Sequence, residues 1–353
     1  MRTLLVLSVL MFLSTINSSL AQEVVELPFV PLDSNFIKLS STLEEIDEAD
    51  NSKYIELCIN ALNKFNNPNI RYDLIYWKLA IQYAKLKQYD KCFEILKKGQ
   101  DEGQYYFIRE GDREYPSYLK ELKKQNKNEY TSFIKQNKFL IEKANKSSNT
   151  EYMIQLPSGS NEKKKYPLLL VMHGGIGSIR SMQSNYNSPK LNNDYIVAFF
   201  QGSIMQGTNS RSFLRENWRN RVEEGFKQII QKYPIDTSQV ILAGPSAGGA
   251  RALLLGLRNI IPAKGLLLSY AVAPGDLDSL TYIDAAGRGI KIALICGEND
   301  WAIKQQKELA YKFDKYGIQN RFVVFPEKGH EFPDNWSYYL DTSLEFIFKK
   351  NEN

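Results

Sequence analysis

The sequence predicts an α/β protein, a mostly parallel sheet with helices on both faces, preceded by a small all-helical region. Three observations carry that expectation. From Glu151 onward, short continuous apolar runs rich in β-branched and aromatic residues alternate with amphipathic stretches of helical period. Before that point the chain is rich in Lys, Glu, Asn and Tyr, with apolar residues such as Ile55, Ile59 and Leu62 at helical spacing. The change of grammar falls near Asn149, which divides the chain into residues 22–148 and 149–353.

Residues 1–21 stand apart. Met1-Arg2 is followed by an apolar run from Leu4 to Leu13, then by small and polar residues ending at Ser19-Leu20-Ala21. One positive charge, a short apolar run and a small-x-small site read as a secretory signal peptide cleaved after Ala21. The run is too short to span a bilayer, so the mature chain is expected to be secreted or periplasmic, with no membrane span.

Composition narrows the classes further. With 43% hydrophobic and 24% charged residues the chain is globular. The net charge of +5 is spread over interleaved Lys and Glu, which makes a solvated surface and no nucleic-acid footprint. Cys58, Cys92 and Cys296 sit in apolar patterns without paired spacing, so they are expected to be free, buried thiols. Two histidines and no Cys-x-x-Cys argue against a structural zinc site, and no cofactor motif is present.

Within the helical region, Tyr76 to Gly99 resembles one tetratricopeptide repeat. Tyr76, Leu79, Ala80, Tyr83, Tyr89, Cys92, Leu96 and Gly99 fall where that motif places its packing residues, with the turn at Lys87-Gln88. One clear unit is too few for a long solenoid. The region is expected to pack on the second half as an accessory domain, the other reading being a surface for a protein partner.

In the second half, strands are expected at Leu168–Met172, Ile196–Phe200, Val240–Ala243, Gly265–Leu268, Ile292–Cys296 and Phe322–Phe325. Helices are expected at Val222–Lys232, Ala250–Arg258, Lys304–Tyr316 and through Leu344–Phe348. Alternation of this kind implies a parallel sheet covered on both faces.

The chemistry lies where those strands end. Gly244-Pro245-Ser246-Ala247-Gly248-Gly249 follows an apolar strand and opens a helix, the setting of a nucleophile elbow in which a strained turn lifts the serine hydroxyl above the sheet. Pro245 fits, because proline pushes Gly244 toward extended backbone. A serine needs a base, and only His173 and His330 are available. His330 follows the last strand, beyond the elbow, whereas His173 comes too early for the order Ser, acid, His. The acid is expected at Asp300, three residues past Gly297 on the loop after a strand, with Glu298, Asp276 and Asp278 as the alternatives. His173-Gly174-Gly175 is expected to serve the reaction through its backbone, the Gly175 N–H, favoured over that of Gly174, and the Ala247 N–H forming an oxyanion hole.

Through His173-Gly174-Gly175, the elbow, Gly297 to Asp300 and Gly329-His330, the chain from Glu151 onward resembles the α/β-hydrolase superfamily. It is nearer to the small secreted esterases and phospholipase/carboxylesterase-like members than to lipases. Phe200-Gln201-Gly202-Ser203 followed by Trp218 is similar to the substrate-side loop of such esterases. Pro245 departs from the His that many relatives carry there. The resemblance implies a serine hydrolase with Ser246 as nucleophile, His330 as base and Asp300 as its orienting acid, cleaving a carboxylic ester of a small molecule or a carbohydrate. Two other readings stand beside it: a peptidase of the prolyl-oligopeptidase-like branch, and an inactive helical-repeat interaction protein.

Overall fold

The computed structural model of the chain describes residues 23–47, 50–110, 116–215, 217–275 and 277–349. The expected signal segment lies outside the described residues, as does Asp276.

Ten strands are present among the described residues: β1 (Val24–Leu27), β2 (Thr150–Gln155), β3 (Tyr166–Met172), β4 (Ile196–Gln201), β5 (Ile204–Gly207), β6 (Ser210–Ser212), β7 (Ile235–Pro245), β8 (Gly265–Ser269), β9 (Lys291–Gly297) and β10 (Gln319–Phe325). Eight of them form one sheet in the order β1-β2-β4-β3-β7-β8-β9-β10, and β5 with β6 makes a separate hairpin. Within the eight-stranded sheet only the β2–β4 pair is antiparallel. All six expected strands are found, extended by a few residues at their ends. Along β3, Leu168, Leu170 and Met172 feed the core on one face while Leu169 and Val171 feed the other. A strand buried on both sides has no polar residue to alternate with, which is why it reads as a continuous apolar run.

The first of those cores is closed by Trp218–Lys232, Ala247–Leu257, Ser279–Gly287 and Ile303–Lys315. The second is closed by Ile179–Asn185, Pro189–Asp194 and Trp336–Phe348. The sheet is therefore mainly parallel and flanked by helices, consistent with the α/β-hydrolase arrangement.

A third core belongs to the helical region, between Phe36 and Ile134. Its helices include Ser34–Glu44, Asn51–Lys64, Tyr89–Asp101 and Lys127–Asn145. Helices Ala80–Lys85 and Tyr89–Asp101 pack together across a short turn. The preceding segment, Asp73–Leu79, is wound as a π-helix, which the sequence reading did not anticipate. Tyr106 and Tyr118 are buried in this helical core, with Tyr106 stacked on Tyr76 at 5.1 Å.

Two features join residues 22–148 to the sheet half. First, β1 pairs in parallel with β2, Val24 opposite Thr150 through Leu27 opposite Met153, so the segment before the helices belongs to the sheet. Four residues ending at Leu27 are too short to announce a strand by periodicity. Second, the β5–β6 hairpin docks on the helices. Thr208 N–H donates to the Tyr105 carbonyl at 2.8 Å, Asn145 Nδ2 to the Met205 carbonyl at 3.1 Å, and the Tyr72 and Ser210 hydroxyls lie 3.2 Å apart.

Candidate active site

Ser246 sits between the last residue of β7 and the first turn of helix Ala247–Leu257, with φ 51° and ψ −124°. A non-glycine residue rarely holds this conformation, and such strain clusters where function requires it. The neighbouring glycines follow from close backbone approach. A Cβ on Gly244 would stand 2.4 Å from the Met172 carbonyl oxygen, and one on Gly248 only 2.2 Å from the same atom. The end of β3 and the elbow are pressed together, and no side chain fits between them.

His330 reaches Ser246 from the loop after β10. Its Nε2 lies 2.9 Å from Ser246 Oγ, and its Nδ1 lies 2.9 Å from Asp300 Oδ1. The loops carrying the acid and the base lean on each other, since Asn299 N–H donates to the Lys328 carbonyl at 2.8 Å. Asp300 is 2% exposed, and its carboxylate is nonetheless fully engaged. Oδ1 also accepts the Ala302 N–H at 2.7 Å, and Oδ2 accepts from Gln306 Nε2 at 2.9 Å. Those donors offset the burial of the carboxylate and hold it aimed at the imidazole.

The alternative carboxylates are occupied elsewhere. Glu298 accepts the Glu327 N–H at 3.2 Å, which ties the two loops together. Asp278 caps helix Ser279–Gly287 through the Thr281 N–H and hydroxyl. Asp276 is outside the described residues.

His173 is fully buried, and burial holds its pKa down at about 3. Its Nε2 accepts the Gly202 N–H at 3.1 Å, so Nδ1 carries the proton and donates to the Gly174 carbonyl at 2.9 Å. A neutral ring with both nitrogens committed is no general base. In a trans peptide the carbonyl and the following N–H point opposite ways, so the Gly175 N–H is directed away from this buried ring. Of the two glycines Gly174 lies against the nucleophile, its built Cβ 3.6 Å from Ser246 Cβ, whereas one on Gly175 meets nothing within 4 Å. Ala247 opens its helix, so its N–H belongs to the first turn, where donors lack an intrahelical partner.

Three further residues shape the site. Tyr270, itself at φ 37°, sets its ring edge-on to the His330 imidazole with centroids 4.7 Å apart. Trp301 lies 4.9 Å from the same imidazole on the solvent side and is 67% exposed. Gln306 stands under Asp300, fully buried, and its Oε1 lacks a partner among the described residues. Trp301 was findable in sequence as the neighbour of Asp300. Tyr270 and Gln306 were not, because their roles depend on which loop lies across the sheet edge.

No family model matches the chain. A protein described as a probable dipeptidyl-aminopeptidase B from Sclerotinia sclerotiorum is 25% identical to it over 65% of this chain and 30% of that protein. The chain spans about 30% of the length of the curated relatives it matches. Among solved structures, an uncharacterized protein from Bacillus cereus covers 89% of this chain and 99% of its own, with 18% identity and a TM-score of 0.48. The Bacillus cereus carboxylesterase covers 56% of this chain and 95% of its own, with 16% identity and a TM-score of 0.46.

Proposed function

We propose that the chain is a serine hydrolase that transfers an acyl group from a carboxylic ester to water through an acyl-Ser246 intermediate. The observation that carries this reading is the unbroken hydrogen-bonded series Ser246–His330–Asp300, with the serine held on a strained turn. His330 Nε2 takes the proton as Ser246 Oγ attacks the carbonyl carbon. Asp300 stabilises the imidazolium formed. The developing oxyanion is received by the N–H groups of Gly175 and Ala247, and the buried, neutral His173 positions the early loop through the Gly174 carbonyl. His330 then returns its proton to the departing alcohol and activates the water that releases the acid.

The same reading makes the protein an exported enzyme, from its first 21 residues, and its helix pair a tetratricopeptide-like unit, from the packing residues between Tyr76 and Gly99. A second reading, a peptidase, is favoured by the name of the curated relative.

A fluorophosphonate probe tests the chemistry. It should label the protein once, at Ser246, and Ser246→Ala should abolish labelling while leaving the melting temperature unaltered. Labelling that survives the substitution would falsify the assignment. A panel of aryl esters, acetylated sugars and peptide amides separates the two substrate readings: the ester reading requires turnover of esters, and hydrolysis confined to peptide amides selects the peptidase.

A further inference from the structure

Between the helical region and the sheet half lies a cleft of about 660 Å³. One wall carries Phe36, Ser40, Ser41, Asp73, Trp77 and Phe107, and the opposite wall carries Ile176, Gly177, Ser178, Arg180 and Asn209. That second wall follows Gly174-Gly175 directly in sequence. From the 3.6 Å approach of Gly174 to Ser246 and two further residues of chain, the Ile176 Cα lies within about 13 Å of the nucleophile's Cβ.

The lining has an unusual balance. Arg180 rests its guanidinium on the Phe36 ring, 4.9 Å from the centroid, and approaches Asp73 Oδ2 only to 3.7 Å. That is too long for a hydrogen bond, and among the described residues its N–H groups make no other polar contact. Asp73 Oδ1 accepts from Asn209 Nδ2 at 3.3 Å, and among the described residues Oδ2 has no closer partner than Arg180. The Ser40 and Ser41 hydroxyls, also on the wall, have no partner among the described residues. Asp73 and Trp77 both stand on the π-helical segment Asp73–Leu79, and π turns are rare features that recur at functional sites.

Apolar ring faces beside incompletely paired charges and free hydroxyls suit one chemistry well. A sugar ring offers C–H faces to aromatic side chains and hydroxyls that both donate to a carboxylate and accept from a guanidinium. A fatty acyl chain in the same place would strip water from Arg180 and Asp73 and give nothing back.

We propose that this cleft binds the carbohydrate portion, a mono- or disaccharide, of an ester whose acyl carbon is presented to Ser246. The helical region is then a specificity element, since it supplies one of the two walls. This rests on the hydrolase reading above, and the test keeps the two apart.

The test compares mono-acetylated cellobiose with para-nitrophenyl acetate, two substrates that pass through the same acetyl-enzyme. In Trp77→Ala and in Arg180→Lys, the ratio of kcat/KM for the sugar ester to that for the aryl ester should fall by about tenfold. The wild type should also bind cellobiose, and cellobiose should inhibit cleavage of the sugar ester less in both variants. Melting curves show that each variant is folded, and Arg180→Lys keeps the charge should Trp77→Ala prove unstable. A constant ratio in folded variants, or a wild type that cleaves the aryl ester but not the sugar ester, overturns the proposal and leaves the hydrolase reading intact. Turnover of both esters by Ser246→Ala overturns the reading beneath it.

Discussion

Replacing Asp300 by Asn is expected to lower kcat/KM by about 10³ while leaving His330 in its productive tautomer. The reason lies in the donors around the carboxylate. Asp300 Oδ1 accepts from both His330 Nδ1 and the Ala302 N–H, and Oδ2 accepts from Gln306 Nε2. An asparagine that turned its NH2 toward His330 would also confront the Ala302 N–H, leaving two buried donors face to face at a cost of about 1–3 kcal/mol. Turning its carbonyl toward His330 instead keeps the Ala302 bond and points the NH2 at Gln306. Gln306, whose buried Oε1 has no partner among the described residues, can flip its amide so that Oε1 accepts from that NH2; its own NH2 then takes the place Oε1 held, a smaller penalty than two donors pressed together. The productive orientation wins, and His330 keeps its proton on Nδ1. What is lost is the charge opposite the imidazolium, worth about 4 kcal/mol at roughly 4 Å with an effective dielectric near 20, or about three powers of ten in rate. An asparagine that enforced the wrong tautomer would cost about 10⁴. The chain has only two histidines, so long-range nitrogen–proton NMR correlations of the imidazoles assign the tautomer directly. Finding His330 protonated on Nε2 in Asp300→Asn refutes the argument, whatever the turnover.

Two further outcomes follow from the surroundings of the site. Acid should destabilise the fold through His173: its folded pKa of about 3 lies below the ordinary 6.5, so stability is complete above that value and falls as the unfolded chain gains a proton the folded one refuses. The loss runs at about 1.4 kcal/mol per pH unit, or about 2 kcal/mol by pH 5. Asp73 works the other way, because burial raises it to about 6 and its folded form keeps a proton that the unfolded chain gives up. Urea midpoints at neutral pH and at pH 5 should therefore separate more in Asp73→Asn than in the wild type, and an equal or smaller separation contradicts the assignment. Gly248→Ala should cost about 1–3 kcal/mol, since the new methyl would meet the Met172 and His173 carbonyl oxygens at 2.2 and 2.6 Å. An unchanged melting temperature would show that the elbow is less tightly held than the contacts imply.

What the sequence made legible was whatever a local pattern dictates. Leu168 to Met172 must be a doubly buried strand because every position is apolar, and Ser246 must sit on a tight turn because glycines stand where Met172 leaves no room. The hydrogen-bonded series Ser246, His330 and Asp300 was readable because each member follows a strand. The rest depended on contacts between distant segments. The part Gln306 plays under Asp300 comes from a helix packing beneath a loop, and nothing in its neighbours in sequence marks it. Nor does a tetrapeptide such as Val24–Leu27 announce that it will pair with a strand starting at Thr150. The cleft was invisible for the same reason, its walls being about a hundred residues apart in the chain.

That pairing gives the helical region an unexpected status. Because β1 and β2 are parallel neighbours, everything from residue 28 to residue 149 is topologically a single crossover connection, where a dozen residues would serve. Closing a flexible loop of roughly 120 residues rather than about 12 costs about 2 kcal/mol more in chain entropy, and a four-residue edge strand has little with which to offset it. The burden disappears once the helices fold, because the floppy remainder then shrinks to the few residues at either end. The edge strand is therefore a latch that shuts last. Its amide protons, in hydrogen exchange, would open whenever the helical core loosens.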